Sequence, residues 1–334
     1  MDDSTRQRLF GVTHALDHPL VVYTLVVLGA LLAAAPLLFL ALSAAGKMSP
    51  ALRKDLWSRY FSWLVFIPMM FGPVLLGAAW TIAAVGVLGI LCYREFARAT
   101  GAFRFPITSF VVVLGIVMVT FATFDHWYGL FVALTPLTIG LIAATAILAD
   151  QPKGYIQRVA LGIVAFLLFG VCYGHLGYLA NDTNFRPLLV WLVASVELND
   201  IFAYITGKSF GRRKLVPNTS PNKTVAGALG ALVLTTAFAA CIGHFVFRST
   251  VLDTPVHLVT LGALVSITGQ LGDLTLSSIK RDLGIKDWAA TFPGHGGLLD
   301  RFNSLLFAAP AVFHYIGYFQ GVGLTQHPRI MTGG

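Results

Sequence analysis

Asp273, Ser277 and Lys280 stand at i, i+4 and i+7 within one apolar stretch. On a helix that spacing projects a carboxylate, a hydroxyl and an ammonium from one face. Arg281 follows directly, and further on comes Pro293-Gly294-His295-Gly296-Gly297, then Asp300-Arg301. The glycines predict a sharp turn whose backbone N–H groups form a nest for phosphate. An Asp on each of two neighbouring helix ends, Asp273 and Asp300, can hold Mg²⁺ with substrate phosphates completing the shell. His295 between glycines reads as a phosphate donor. The chemistry such a set suits is phosphoryl or nucleotidyl transfer, which needs charge neutralisation and in-line alignment more than a covalent nucleophile. The setting sharpens the point: Asp273 lies deep in an apolar run. A lone carboxylate there costs about 2.5–3.5 kcal/mol on insertion scales, so it needs a cationic partner or a metal.

Two further groups lie upstream. Glu197, Asn199 and Asp200 fall inside another apolar run, with Tyr204 at i+4 from Asp200 on the same helix face. They read as the polar wall of a substrate site, the alternative being a polar knot between helices. The segment 207–224, G-K-S-F-G-R-R-K-L-V-P-N-T-S-P-N-K-T, has Gly207 and Gly211 for tight turns and a basic run, Arg212-Arg213-Lys214. Ser220-Pro221 predicts a helix start, with Ser as N-cap and Pro at the first position. Asn222, Lys223 and Thr224 would then form the first turn, a ready anion site. The spacing is not that of a P-loop. A plain basic loop explains Arg212-Arg213-Lys214 but not S-P-N-K-T. His175 and His244 have no such company and read as ordinary helix residues, and Cys92, Cys172 and Cys241 as buried packing residues without metal-ligand spacing.

The elements that must position these groups are membrane helices. The chain has 334 residues, 56% hydrophobic and 11% charged, with a mean hydropathy of +0.76. No soluble domain of this size needs so much apolar surface, so the fold expected is all-α, a polytopic transmembrane helical bundle. Ten apolar segments can be drawn, at 20–43, 60–75, 77–93, 105–124, 127–149, 159–180, 187–206, 224–247, 256–279 and 298–320. Gly72-Pro73 either divides 60–93 into two short spans or kinks one long one, which brackets the count at nine to ten. The start, MDDSTRQRLFGVTHALDHP, lacks the basic n-region of a signal peptide. With the loops at 207–223 and 280–297 on the cytoplasmic side, alternation puts 44–59, 94–104 and 150–158 there too. Of the 23 basic residues, all but Arg6, Arg8, Arg186, Arg248 and Arg329 then face the cytoplasm. That asymmetry explains the net charge of +8 by the positive-inside bias and removes the case for a nucleic-acid partner. Ten spans put both termini outside; nine move the N-terminus inside. The unusual polar residues gather late, so residues 1–185 read as a transmembrane scaffold, 186–321 as the catalytic region and 322–334 as a short polar tail. A homodimer is compatible with this pattern, which does not fix the oligomeric state.

The pattern S-x-I-K-R-x4-K-D-x-A-x2-F-P-G-H-G-G-L-x-D-R-F over 277–302 resembles the C-terminal signature of phosphatidate cytidylyltransferases, the CDP-diacylglycerol synthases. N-D-x-x-A-Y-x-x-G-x-x-x-G at 199–211, S-P-N-K-T at 220–224 and G-D-L at 272–274 match the family in order and spacing. The resemblance implies CTP and phosphatidate as substrates and CDP-diacylglycerol and pyrophosphate as products, made at the inner face of the cell membrane. It implies Mg²⁺, or Mn²⁺, on Asp273 and Asp300, with a second cation left open. It implies that Ser220, Asn222, Lys223, Lys280, Arg281, His295 and Arg301 surround phosphates, with Ser277, Gly296 and Gly297 beside them. Asn199, Asp200 and Tyr204 would line the polar cavity. Two positions depart from the family: Asn303 stands where it has Asp in D-R-x-D, and Val225-Ala226-Gly227 where it has Trp-Glu-Gly. Both changes remove a carboxylate, which points to a divergent paralogue activating another lipid phosphate as the alternative. A transporter using Asp200 and Asp273 as an ion relay is the competing class; the phosphate-type motifs speak against it.

Overall fold

A computed structural model describes residues 3–291, 296–321 and 329–333. The helices are α1 (Asp3–Phe10), α2 (Pro19–Ala44), α3 (Pro50–Leu76), α4 (Ala78–Thr100), α5 (Pro106–Phe124), α6 (Tyr128–Ala146), α7 (Tyr155–Ala165), α8 (Tyr173–Leu179), α9 (Phe185–Phe210), α10 (Val225–Val246), α11 (Pro255–Asp282), α12 (Leu299–Phe302) and α13 (Leu305–Gln320). A π-helical stretch, Phe166–Cys172, joins α7 to α8 as one rod. Between α9 and α10 lies a small antiparallel hairpin, β1 (Lys214–Val216) and β2 (Ser220–Thr224).

Among the described residues nine rods are long and apolar enough to cross a membrane. The protein is an all-α integral membrane protein. Several rods start on proline, whose missing N–H costs nothing at a first position: Pro19, Pro50, Pro106 and Pro255. Ser49 and Thr254 cap two of these starts by accepting a backbone N–H. The tenth apolar segment is broken at Ser304, leaving α13 with 16 residues, about 24 Å of rise. Its side chains Leu306, Val312, Phe313 and Ile316 are buried against α8 and α11.

Hydrogen bonds sort the loops onto two ends. At one end Arg8 donates to the Asn181 carbonyl, the Asn181 amide donates to Thr123 O at 2.6 Å, and Ile330 N–H donates to Asp125 O at 3.1 Å. Both terminal segments therefore sit together, as an even number of crossings requires, so α13 counts as the tenth. The other end carries the basic connections and the polar motifs.

Four local expectations are corrected. The break inside 60–93 falls at Gly77, not Gly72-Pro73; Pro73 stays inside α3. Gly77 holds φ 133° and lets the chain touch α1, where a Cβ would lie 2.4 Å from Leu9 O. Ser220-Pro221 does not start a helix. Those residues are strand, because Thr224, extended at φ −120° and ψ 155°, is the true cap and accepts from Gly227 N–H at 3.0 Å. Gly207 lies within α9 and Gly211 ends it at φ −76°, so neither makes a left-handed turn. Instead they clear room for Thr224, whose Oγ1 would meet a Cβ on Gly211 at 2.5 Å. Cys241 is exposed on α10, whereas Cys92 is buried.

The core is aromatic and central. Phe96, Phe169, Tyr173, Tyr178, Trp191 and Phe313 are almost fully buried. α2 is peripheral, with Val21 its buried residue. α9, α10 and α11 approach closely through glycine: a Cβ on Gly227 would meet Ala203 O at 2.7 Å, and one on Gly262 would meet Thr236 Cα at 2.8 Å. Small residues are how membrane helices come this near.

Candidate active site

The close packing of α9, α10 and α11 at the basic end leaves a cavity of about 260 Å³ under the hairpin. Asp200 and Tyr204 from α9, Asn222 and Lys223 from β2, and Gln270 and Asp273 from α11 line it. The extended backbone of β2 is what carries Lys223 across to α11, where its ammonium pairs with Asp273 Oδ2. A helical first turn would keep Lys223 on α10. The other carboxylate oxygen of Asp273 accepts from the Asn303 amide at 2.6 Å. That bond depends on Gly272, where a Cβ would lie 2.6 Å from Asn303 O. Ser304 follows and donates to Asp200 at 3.4 Å.

A second cluster sits beside the first. Lys280 Nζ donates to Asp300 Oδ1 at 2.7 Å, and Trp288 N–H and Gly297 N–H both donate to Asp300 Oδ2 at 3.0 Å. This ion pair is deeper than the first: the side chains are 11% and 6% exposed, against 23% and 20% for Lys223 and Asp273. Asp300 lies in the short helix α12 and Asn303 is its C-cap, so α12 ties the two clusters together. Arg281 caps the assembly from outside, donating to Thr219 O at 3.2 Å in the hairpin turn and to Ile285 O at 3.0 Å.

In the described part of the glycine-rich turn, from Gly296 on, backbone donors are already held by carboxylates. The N–H of Gly297 is held by Asp300, and those of Leu298 and Leu299 by Glu95, at 3.0 and 2.9 Å. Thr291 donates to the same Glu95 at 3.0 Å. Gly296 needs its left-handed φ of 77°, and a Cβ on Gly297 would strike Glu95 Oε2 at 2.4 Å. Glu95 is buried near the end of α4 and escaped the sequence reading. The signal was present: it is the sole acid between Asp55 and Asp125.

Of the residues singled out from sequence, Asp200, Tyr204, Asn222, Lys223 and Asp273 share the cavity, while Ser220, half-buried, opens β2. Ser277 and Lys280 are buried one and two turns beyond Asp273 on α11, towards its basic end. Asn199 does not line it: fully buried, it accepts from Thr235 at 3.1 Å and Ser266 at 2.6 Å, a knot between helices. Arg301 is exposed on α12, within electrostatic reach of Glu197 and Asp200. His295, with Pro293 and Gly294, lies outside the described residues.

A membrane bundle that gathers acids, lysines and a glycine-rich turn at one end is the frame of an integral membrane transferase. The model of the cytidylyltransferase family matches residues 57–319. The chain is 34% identical over 260 residues to the uncharacterized protein YnbB of Escherichia coli (strain K12), covering 75% of this chain and 84% of that one. It is 34% identical over 192 residues to the phosphatidate cytidylyltransferase of Bacillus subtilis (strain 168), 57% of this chain and 67% of that one. Against the phosphatidate cytidylyltransferase of Staphylococcus aureus (strain COL) the identity is 29% over 251 residues, 74% and 92% of the two chains. The chain belongs to the cytidylyltransferase family and is a membrane-embedded nucleotidyltransferase.

Proposed function

We propose that the protein moves the cytidylyl group of CTP onto a lipid phosphate, with phosphatidate as the substrate, giving CDP-diacylglycerol and pyrophosphate. A phosphatidate oxygen attacks the α-phosphorus of CTP, the bond to the β-phosphate breaks, and pyrophosphate leaves. The observation that carries this reading is the convergence of Lys223, from the phosphate-type segment S-P-N-K-T, on Asp273 in a cavity that Asp200, Asn222 and Gln270 also line. The family and the names of the relatives supply the nucleotide and lipid classes.

In this mechanism Lys223 and Asn222 bind phosphate oxygens in the cavity, and Lys280, Arg281 and Arg301 neutralise the charge of the leaving pyrophosphate. Asp200 and Tyr204 orient the substrate from the α9 side, and His295 donates to a phosphate oxygen. The hard carboxylate oxygens of Asp273, open to a cavity that also holds the Asn222 and Gln270 amides, fit Mg²⁺ or Mn²⁺. Among the described residues no three His, Cys, Asp or Glu converge on a metal position, and Mg²⁺ shared with phosphates needs only one or two carboxylates. Asp273 and Asp300 would hold the ion, each exchanging its lysine. When bound, it polarises the phosphoryl oxygens. The basic end faces the cytoplasm by the positive-inside bias, so CTP enters from the cytoplasm and the lipid from the inner leaflet of the cell membrane.

One observation favours a second acceptor. Asn303 supplies Asp273 with a neutral amide donor where the family pattern has a carboxylate. A paralogue acting on another lipid phosphate is therefore the second reading. The test is purified protein in detergent with radiolabelled CTP, Mg²⁺ and a panel of lipid phosphates. A labelled CDP-lipid is expected, most from phosphatidate. No labelled lipid from any member of the panel refutes the reading.

A further inference from the structure

From Leu298 to Ala309 the chain carries neither Pro nor Gly, and its pattern is that of one helix. The ladder nonetheless opens at Asn303 and Ser304, between α12 and α13. Both residues keep right-handed helical dihedrals, φ −56° and ψ −41°, then φ −70° and ψ −26°, so the opening is a kink and not a loop. Its hydrogen bonds show what moved. Leu306 N–H donates to Asn303 O at 3.3 Å, and not to the Phe302 carbonyl that an α-helix assigns to it. Ser304 N–H donates to Asn303 Oδ1 at 2.7 Å. The Phe302 carbonyl accepts instead from the hydroxyl of Tyr173 at 3.1 Å. A kink needs a cause, and a side chain inserted into the ladder is one.

The surroundings of Tyr173 hold its hydroxyl in this place. The residue is 1% exposed and follows directly on the π-helical stretch Phe166–Cys172. That wider turn brings Phe169 O close to α4, where a Cβ on Gly89 would lie 2.5 Å from it. Further along α4, the Cys92 thiol stands 3.9 Å from the Tyr173 oxygen. A phenol has one proton, and that proton goes to Phe302 O, so the thiol is the donor on the other side. Tyr173 does not line the cavity. The kink beside it carries two contacts of the site: the Asn303 amide donates to Asp273 at 2.6 Å, and Ser304 Oγ donates to Asp200 at 3.4 Å.

We infer that Tyr173 is a positioning residue for the transfer reaction: its hydroxyl, by taking the Phe302 carbonyl, keeps the kink between α12 and α13 and so holds Asn303 on Asp273 and Ser304 on Asp200. Without that donor Phe302 O regains Leu306 N–H, the kink straightens, and both side chains turn from their partners. The inference rests on the nucleotidyl-transfer reading above and adds what aligns the acids of that site.

Tyr173→Phe removes one oxygen and leaves the ring packed. The first readout needs no activity. A Cβ on Gly269 of α11 would lie 3.8 Å from Ser304 Cβ, within the usual disulfide separation of about 3.5–4.5 Å. The Gly269→Cys, Ser304→Cys pair, oxidised with copper phenanthroline and read as linked peptides by mass spectrometry, should cross-link readily. Adding Tyr173→Phe should slow that cross-linking about tenfold, the upper range for one buried neutral hydrogen bond. In the second readout, kcat of folded Tyr173→Phe protein should fall about tenfold, with KM for CTP within about twofold of wild type. In an Asn303→Ala background the same substitution should cost about twofold or less, because most of the placement it acts through is gone. A hydroxyl that only packs the core would lower Tm and show no such dependence on Asn303. Equal cross-linking rates, a wild-type kcat in Tyr173→Phe, or an undiminished loss in the Asn303→Ala background overturns the inference. Wild-type protein that makes no CDP-lipid refutes the functional reading instead, and the cross-linking arm still decides whether Tyr173 holds the kink.

Discussion

Replacing Glu95 tests the loop that carries Asp300 and Arg301 without touching either. Its carboxylate accepts from Leu298 N–H, Leu299 N–H and Thr291 Oγ1, all within 2.9–3.0 Å and largely out of water. Glu95→Ala strands two backbone donors at about 1–3 kcal/mol each, or about 2–6 kcal/mol together. Glu95→Gln keeps one acceptor oxygen but turns an NH₂ toward the other donor, so its cost is that of one stranded N–H plus a weaker neutral bond, about 2–4 kcal/mol. At 1.4 kcal/mol per decade the smaller figure already shifts the closed loop about thirtyfold toward open. Hydrogen exchange of residues 296–302 should rise by that order in Glu95→Gln and further in Glu95→Ala, with kcat falling alongside. Exchange and kcat both at the wild-type level in Glu95→Ala would refute the assignment of Glu95 as the clamp of this loop.

The remaining expectations are shorter. Gly297→Ala puts a methyl 2.4 Å from Glu95 Oε2, so it should reproduce the Glu95→Ala exchange pattern; wild-type exchange would contradict it. Asn303→Asp turns a 2.6 Å donor contact with Asp273 into two facing carboxylates. Its Tm should fall without divalent cation and recover with Mg²⁺ more than the wild type does; an equal Mg²⁺ response would count against a cation at Asp273. Asp125, outside the spans, titrates below the usual carboxylate range. Burial works to raise it, but donors from Thr332 and Met331 and the charge of Arg329 outweigh that. A depressed carboxylate stabilises above its ordinary pKa and loses that stabilisation as pH falls through the folded value. Protease cleavage after Arg329 should therefore accelerate below about pH 4, and Asp125→Asn should show the fast cleavage at neutral pH.

The spans and their alternation were legible because each depends only on local apolarity, and basic residues mark one side whatever the packing. Asp273 was legible as a charge that needs a partner and Lys223 as a cation of an anion site, though not as partners of each other. What sequence hid was decided by contacts between distant segments. Ser220-Pro221 has the local grammar of a helix start, yet pairing with Lys214–Val216 and the cap at Thr224 move the start onward. Gly72-Pro73 looks like the break, but Pro73 fits inside a membrane helix and Gly77 turns because α1 packs against it. Glu95 was overlooked because its partners lie some two hundred positions away. The glycines at 296–297 were read as room for phosphate; in the fold they are room for Glu95 and Asp300.

The most direct test of the central claim follows the two ends of the nucleotide. Purified protein with Mg²⁺ and phosphatidate is given CTP labelled at the α-phosphate in one reaction and at the γ-phosphate in another. Nucleotidyl transfer predicts α-label in the lipid fraction and γ-label in free pyrophosphate. Label from the γ-phosphate on the lipid, or no label from the α-phosphate there, would contradict it.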